Sequence, residues 1–354
     1  MALSIGIVGL PNVGKSTLFT ALTRKAGVAA NYPFTTIDPN VGVVVVPDSR
    51  LDRIVELAPP ERVVPATVEF VDIAGLVKGA NTGEGLGNKF LANIRETNAI
   101  CEVVRYFSDP DVVHVSGEVD PADDVETIRM ELVLADLATV ERALPRLEKE
   151  AKRDANVAPL LELTRRVGEW LGEGHRAGRM EMTAGERLLL RELHLLTMKP
   201  MLYVANVDED RIGDELEPID DVDPIRICAK VEADLAELEP AEVAEYLEAI
   251  GQEEPGLNTL IREAYRLLWL ESFFTHGEKE ARAWTVPVGA TAPEAAGVIH
   301  TDFQRGFIKA EVVSFEDYDA HGGEHGARAA GKLRVEGKEY VVQDGDVIHF
   351  RFNV

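Results

Sequence analysis

The segment from Gly9 to Ser16 reads GLPNVGKS and has the residue types that bind phosphate groups. It fits the pattern Gly, four variable residues and Gly-Lys-Ser, and it lies between an apolar strand-like run and a helical pattern, as this motif requires. Such glycines let backbone N–H groups wrap phosphates, and the lysine places a cation on them, so Lys15 is also a candidate catalytic residue. The residues predicted to bind nucleotide phosphates are Asn12, Val13, Gly14, Lys15, Ser16 and Thr17.

Oxygen ligands for Mg²⁺ and a contact to the terminal phosphate are predicted further along the chain. Asp72 ends an apolar strand pattern, where a carboxylate typically holds Mg²⁺ in P-loop proteins. Gly75 is placed for its N–H to contact the γ-phosphate, which makes it a second candidate catalytic residue. The loop NYPFTTI offers Thr36 as a metal ligand, with Thr35 as the alternative. The predicted metal ligands are Ser16, Thr36 and Asp72.

The group that activates the attacking water is not evident from the P-loop motifs. The residue after Gly75 is Leu76, where G proteins commonly have a Gln that orients this water. Because leucine cannot hydrogen-bond to water, we expect slow intrinsic turnover or another activating group. The candidates are the Gly-rich stretch Gly79–Asn88 and His114, although a histidine in such a loop is more often an ordinary surface residue than a catalytic one. In some relatives an Asn at the position of Asn12 helps to hold a monovalent cation, so stimulation by K⁺ is a further hypothesis.

A second set of residues is predicted to read the base. Asn206-Val-Asp-Glu209 follows a strand pattern where guanine-binding proteins have Asn-Lys-x-Asp. The Asp carboxylate accepts from two guanine donors that adenine lacks, and the additional methylene of Glu209 moves that carboxylate. The sequence therefore favours ATP over GTP, although a rearranged Glu209 that reads guanine stays open. The predicted base-site residues are Asn206, Val207, Glu209, Cys228 and Ala229.

Strand-like and helical patterns alternate along most of the chain, which predicts an α/β fold with a parallel sheet covered on both faces. The alternation stops at residues 125–199, where two apolar seams predict an antiparallel helical hairpin with coiled-coil packing. Pro145 is expected to kink the first helix or to start a new one. A helix is expected over Leu257–Phe274, followed by a small β-grasp module in which Asp319–Ala330 is a loop. The predicted domains are 1–124 with 200–276, 125–199, and 277–354.

Composition limits the classes of partner and compartment. The 354-residue chain has a net charge of −25, which opposes nucleic-acid binding by the molecule as a whole. The acidity is concentrated in residues 208–254, with 18 acids and 3 bases, whereas residues 125–199 carry 13 of each. The N-terminal residues have no basic leader, and no apolar run approaches the roughly 20 residues of a membrane helix. Cys101 and Cys228 are far apart and lack metal-ligand spacing, so we expect no disulfide framework and no structural zinc site, which fits a reducing cytoplasm. We also expect a monomer without membrane contact.

The set of motifs resembles the YchF/Obg-like ATPase family from end to end. The resemblance implies a Ras-like P-loop domain interrupted by a coiled-coil insert and followed by a TGS domain of ubiquitin-like shape. It also implies a Mg²⁺-dependent ATPase that associates with ribosomes as a regulator of translation or stress responses. Asn206 and Glu209 match the family's Asn-x-x-Glu motif, and Leu76 matches its replacement of the catalytic Gln. The segments that carry the resemblance are GLPNVGKS, NYPFTTIDPNVG, DIAGLVKGANTGEGLGN, NVDE, and the tail from AAGVIHTDFQRGFIKAEVV to GKLRVEGKEYVVQDGDVIHFRFNV.

Two classes of function remain open from the sequence. One is a regulatory nucleotidase whose state is reported to a ribosomal partner. The other is a GTP-dependent module that binds nucleic acid or protein and for which hydrolysis is incidental. Several cations of the helical insert fit a contact with RNA phosphates, and they fit a salt-bridged coiled coil equally well. These cations include Arg142, Arg146, Lys149, Lys152 and Arg153.

Overall fold

The computed structural model describes residues 3–26, 40–73, 86–114 and 117–353. The chain divides into two compact units, Met1–Gly42 with Glu69–Leu260, and Val43–Val68 with Ile261–Val354. The first unit includes the segment for which a separate helical domain is predicted. The second unit starts before the expected residue 277, so the three predicted domains stay a prediction. None of the described helices has both the length and the apolar character needed to cross a bilayer.

The strands of the described residues are numbered in chain order. They are β1 (Ser4–Val8), β2 (Val41–Val45), β3 (Arg62–Val64), β4 (Thr67–Asp72), β5 (Ala99–Arg105), β6 (Met201–Asn206), β7 (Ile225–Ile227), β8 (Leu270–Thr275), β9 (Glu280–Pro287), β10 (Phe307–Val313), β11 (Arg334–Glu336) and β12 (Val347–Phe352).

The helices of the described residues are numbered in the same way. They are α1 (Lys15–Ala26), α2 (Ser49–Leu57), α3 (Leu86–Glu96), α4 (Pro121–Ala151), α5 (Ala158–Gly172), α6 (Ala184–Leu190), α7 (Ala229–Leu235), α8 (Pro240–Ala249), α9 (Gly256–Leu267), α10 (Ala292–Ile299), α11 (Thr301–Arg305), α12 (Phe315–Ala320) and α13 (Glu324–Ala329).

A parallel sheet organises the first unit. Strand β1 pairs in parallel with β4 and with β5, β5 pairs with β6, and β6 pairs with β7. Every residue of β5 is buried, as expected for an inner strand whose two faces are both covered. This confirms the α/β prediction. The pairing also brings the carboxyl ends of the strands to one edge, which is where ligands bind in open parallel sheets.

The helical hairpin of the first unit consists of α4 and α5, which share an apolar core. The core includes Val133, Val140 and Leu147 of α4 and Leu163 and Val167 of α5. These positions follow the predicted seams. The expectation that a new helix begins at Pro145 is wrong, because α4 continues through this residue for 31 residues in all. A proline removes only one hydrogen bond of a helix, and the long packed seam on either side outweighs that loss.

The second unit contains a mixed sheet with the order β11-β10-β12-β8-β9-β3. Its core lies between this sheet and α10, whose Ala292, Ala295 and Ala296 are fully buried. The prediction of one helix over Leu257–Phe274 is wrong, since α9 ends at Leu267 and the residues from Leu270 onward belong to β8. A short apolar run does not distinguish a strand from a buried helix by periodicity alone.

The segment Asp319–Ala330 also differs from its prediction as a loop. It contains the end of α12 and the whole of α13, in which Ala327 is fully buried. Gly322 and Gly323 have positive φ values of 70° and 106° and separate the two helices. The glycines therefore mark a tight helix–helix turn, which a composition rich in Gly, His and Ala does not distinguish from an irregular loop.

Candidate functional site

The phosphate loop runs from the end of β1 to the start of α1. Asn12 and Gly14 have positive φ values, 65° and 90°, so the backbone is in the left-handed region at these two residues. A Cβ atom on Gly14 would clash with Nδ2 of Asn206, and one on Gly9 would lie 2.8 Å from the carbonyl oxygen of Val103. Glycine is therefore required at both positions, for steric reasons and, at Gly14, for conformational ones.

The predicted phosphate-binding lysine contacts the predicted metal ligand. The ammonium group of Lys15 donates to Oδ1 of Asp72, and Lys15 is 9% exposed. Asp72 reaches this position because Asp72 of β4 lies opposite Ile7 of β1, next to the start of the loop. Ser16 and Thr17 are exposed in the first turn of α1. The cation, the carboxylate and the hydroxyl of the predicted site are thus gathered at one end of the sheet.

Two residues of the predicted phosphate and metal site, Thr36 and Gly75, lie outside the described residues, as do Thr35, Leu76 and most of the Gly-rich stretch. Their predicted roles stay predictions. Val13, in contrast, is described, and its side chain is 1% exposed. Its predicted contribution to nucleotide binding therefore rests on its backbone.

Asn206 connects the phosphate loop with the predicted base site. Its Nδ2 donates to the carbonyl oxygen of Val13 at 2.9 Å, and its Oδ1 accepts from the backbone N–H of Ala229 at 3.0 Å. The side chain is buried, with 5% of the residue exposed. Since an amide has two donor hydrogens and two acceptor lone pairs, these bonds leave capacity for a base. The bracing function itself was not predicted from the sequence.

The remaining base-site residues surround the start of α7 and the end of β6. Val207 is 1% exposed, and its N–H donates to the carbonyl oxygen of Ile227 at 2.9 Å. Cys228 precedes α7, and burial raises the pKa of its thiol, which fits a small buried residue rather than a reactive one. The structure thus places Asn206, Val207, Cys228 and Ala229 together at the sheet edge.

Glu209 lies at the edge of an open pocket. Its carboxylate accepts a hydrogen bond from the hydroxyl of Tyr246 at 3.0 Å, and this bond raises the pKa of Tyr246. The pocket has a volume of about 670 Å³. Its lining residues are Glu209, Asp210, Ile212, Gly213, Ala249, Ile250, Gly251 and Gln252. Tyr246 comes from α8, far along the chain, so sequence spacing alone gives no sign of this contact.

His114 is buried and paired rather than exposed on a surface. Its Nε2 lies 3.0 Å from Oδ2 of Asp124, in the first turn of α4, and His114 is 6% exposed. Burial raises the pKa of Asp124, and the hydrogen bond from His114 opposes that rise. The neighbouring Val113 accepts a 3.0 Å hydrogen bond from Nδ2 of Asn12. The histidine is therefore one residue away from a contact with the phosphate loop.

Arg105, which the sequence analysis did not single out, shapes the loop that leads to His114. It is 1% exposed at the end of β5. Its guanidinium donates to the carbonyl oxygens of Phe107, Asp109 and Val112 at 3.2, 3.3 and 3.0 Å. A guanidinium has five donors in a rigid fork, which suits it to bind several carbonyl groups of one loop. No sequence motif marks this residue.

A parallel sheet with a phosphate loop at the carboxyl end of β1, and an Asp at the end of the neighbouring β4, defines the class of P-loop nucleoside triphosphatases. Two family models agree with this class. A model described as a 50S ribosome-binding GTPase matches residues 4–142, and the C-terminal model YchF-GTPase_C, described as a protein of unknown function, matches residues 270–353.

Curated relatives extend the match over the full length. The chain is 54% identical to the ribosome-binding ATPase YchF of Bacillus subtilis over 366 residues, and 54% identical to that of Escherichia coli O157:H7 over 365 residues. Each alignment covers 100% of this chain and 100% of the relative. The solved structure of the Schizosaccharomyces pombe YchF GTPase is 37% identical and superposes with a TM-score of 0.89, covering 99% of this chain and 97% of that chain. The chain belongs to the YchF family.

Proposed function

We propose that this protein hydrolyses ATP in preference to GTP with Mg²⁺, and that its nucleotide state regulates a contact with the ribosome. The observation that carries the proposal is the gathering of Lys15, Ser16 and Asp72 at the end of the sheet, with Glu209 in place of the Asp that reads guanine. The bacterial relatives are named ribosome-binding ATPases, which supports the choice of both nucleotide and partner.

The donor set at the sheet edge fits Mg²⁺. The hydroxyl of Ser16 and the carboxylate of Asp72 are hard oxygen ligands, and Mg²⁺ in nucleotide sites takes few protein ligands because phosphates and waters complete its shell. We assign Thr36 as the third protein ligand, as the sequence predicts. A bound Mg²⁺ would neutralise charge on the phosphates. Lys15 would bind the β- and γ-phosphates, and the N–H of Gly75 the γ-phosphate.

His114 is the proposed group that orients the attacking water, since Leu76 cannot. The contact between Asn12 and Val113 supports this role, because it holds the residue next to His114 at the phosphate loop. A His114→Ala variant is expected to keep nucleotide affinity and to lose hydrolysis by about a hundredfold, the usual effect of removing a general acid–base group. A variant that hydrolyses ATP at the original rate would exclude His114 from the chemistry.

The preference for ATP is tested by equilibrium binding of both nucleotides. We expect ATP to bind at least about tenfold more tightly than GTP, or about 1.4 kcal/mol. Glu209→Asp should shift the ratio towards GTP, because the shorter side chain restores the carboxylate position that guanine requires. Glu215→Asp, at an exposed residue outside the lining of the pocket beside Glu209, is the matched control. Tighter binding of GTP by the unmodified protein would disprove the argument from Glu209.

The K⁺ hypothesis concerns Asn12. Because its Nδ2 donates to Val113, its amide oxygen is the atom that would bind the cation against the phosphates. K⁺ should therefore stimulate turnover where Na⁺ does not, and an Asn12→Ala variant should lose the difference. Equal turnover of the unmodified protein in the two salts would show that no such site operates.

A ribosomal partner is tested by turnover and by sedimentation. We expect ribosomes to raise the turnover of the protein and to bind it differently with ATP and with ADP. Binding independent of nucleotide, without stimulation, would instead support a binding module in which hydrolysis is incidental. The cations of the helical hairpin are partly engaged, since Arg146 pairs with Glu150 at 3.3 Å and Arg165 with Glu148 at 2.8 Å. If these arginines bound RNA phosphates, the exposed ion pairs would have to break, and each of them contributes only about 0–1 kcal/mol to stability.

GTP hydrolysis is the second candidate function. It is favoured by the description of the matched N-terminal family model and by that of the S. pombe protein, both of which are called GTPases. Steady-state kinetics with each nucleotide separate the two candidates, because the preferred substrate has the higher kcat/KM.

A further inference from the structure

We infer that Asp124 is a positioning residue that fixes the imidazole of His114 for hydrolysis and connects it to the helical hairpin. The inference rests on the proposed role of His114. It is carried by the buried pair between Nε2 of His114 and Oδ2 of Asp124, whose side chains are 3% and 4% exposed.

The chemistry of the pair determines which nitrogen carries the hydrogen. An ionised carboxylate only accepts hydrogen bonds, so Nε2 of His114 donates at 3.0 Å to Asp124. In the neutral imidazole the lone pair then belongs to Nδ1. Asp124 thus selects Nδ1 as the basic atom of His114, in the way that a carboxylate fixes the tautomer of a histidine elsewhere in catalysis.

The pair is held in place from two sides. On one side Asn12 binds Val113, and the guanidinium of Arg105 binds the carbonyl oxygen of Val112, so the loop before His114 is fixed to the phosphate loop and to β5. On the other side Asp124 belongs to the first turn of α4, which Asp120 caps by accepting from the N–H groups of Ala122 and Asp123. These contacts fix the backbone on each side of the pair.

Because the pair is buried, separating the two side chains is energetically unfavourable. Oδ1 of Asp124 is buried and has no hydrogen-bond partner within the described residues, so the bond from His114 to Oδ2 is what compensates this carboxylate there. Separating the two side chains would leave a buried carboxylate uncompensated, which is strongly unfavourable. The imidazole and the first turn of α4 are therefore expected to move together.

This geometry makes α4 a connection between the helical hairpin and the chemistry. Helix α4 starts beside His114 and extends for 31 residues into the core that it shares with α5. A partner that displaces α4 would therefore also move His114 relative to the phosphate loop. The consequence is that the hairpin can control hydrolysis without contacting the nucleotide.

The test is a double-mutant cycle on full-length protein. Asp124→Asn should lower kcat by about tenfold or more and leave the Kd for ATP within about twofold, since an amide can donate to Nε2 as well as accept from it and so no longer selects one tautomer. In a His114→Ala background the same substitution should have no further effect on kcat. Asp123→Asn, at the exposed neighbouring residue, is the control and should leave kcat unchanged. An equal loss of kcat in both backgrounds, or an Asp124→Asn variant with normal kcat, would overturn the inference.

A spectroscopic measurement covers the case in which Asp124→Asn is poorly folded. The ¹⁵N signals of His114, identified by their absence in His114→Ala, should show hydrogen on Nε2 in the unmodified protein, and Nδ1 protonation would overturn the inference. The two failures are distinguishable. A His114→Ala variant with normal kcat contradicts the proposed role of His114, whereas a reduced kcat there with a normal one in Asp124→Asn contradicts the role of Asp124 alone.

Discussion

Asn206→Ala is the substitution that best tests how the phosphate loop is held. The variant removes the bond to the carbonyl oxygen of Val13 and the bond to the N–H of Ala229. Each such bond contributes about 1 kcal/mol, and a buried group left without its partner costs about 1–3 kcal/mol. Because both backbone groups lose their partner at a 5% exposed position, we expect a loss of about 2–4 kcal/mol in unfolding free energy.

The assay is urea unfolding followed by circular dichroism, with nucleotide affinity measured in parallel. Asn98→Ala is the matched control, because Asn98 also accepts a backbone hydrogen bond, from Ser4 at 3.0 Å, but is exposed. The control should lose no more than about 1 kcal/mol. Affinity for ATP should fall for Asn206→Ala and not for the control, since only Asn206 contacts the phosphate loop. If the two variants lose equal stability, the bracing function assigned to Asn206 is wrong.

Two further predictions concern stability. Pro145→Ala should raise the free energy of unfolding by up to about 3 kcal/mol, because it restores the hydrogen bond to the carbonyl oxygen of Glu141 inside a continuous helix. Urea unfolding measures this change, and a decrease would show that the proline stabilises the helix there. In the second unit, hydrogen bonds from Arg351 lower the pKa of Glu311 to about 2 from its ordinary 4.5. Because this pKa is lowered in the folded state, ionised Glu311 adds stability that is fully present above pH 4.5 and is lost as the pH falls towards 2. In Glu311→Gln the free energy of unfolding should therefore fall less steeply with decreasing pH in this range. Glu339→Gln, at an exposed residue, is the control and should not change this pH dependence. A curve unchanged in Glu311→Gln would contradict this assignment.

The first sheet and the phosphate loop could be predicted from the sequence because their signals are local. The Gly-Lys-Ser motif, the apolar run of β1 and the Asp at the end of β4 can each be recognised from the residues around them. Strand β8 was predicted as helix because its buried Phe273 and Phe274 continue the apolar pattern of α9. The reversal between them occurs at Trp269, a non-glycine residue with a φ of 55°, and no sequence rule anticipates a tryptophan there.

The residues that complete the site were not predictable in the same way. Asp124 contacts His114 and Tyr246 contacts Glu209 through space, across 10 and 37 positions of the chain. A single sequence contains no signal for such pairs. Arg105 was overlooked because an arginine at a strand end usually faces solvent, whereas this one is buried by the carbonyl groups that it binds.

The ion pair between Lys15 and Asp72 implies thermodynamic coupling between nucleotide and metal ion. In the proposed function the phosphates would compete with Asp72 for the ammonium group, and Mg²⁺ would compete with Lys15 for the carboxylate. Whichever ligand binds first bears the cost of opening the pair and leaves the other partner uncompensated. Each ligand should therefore raise the affinity for the other by the same factor, and a Lys15→Met or Asp72→Asn variant should lose this heterotropic cooperativity along with the pair.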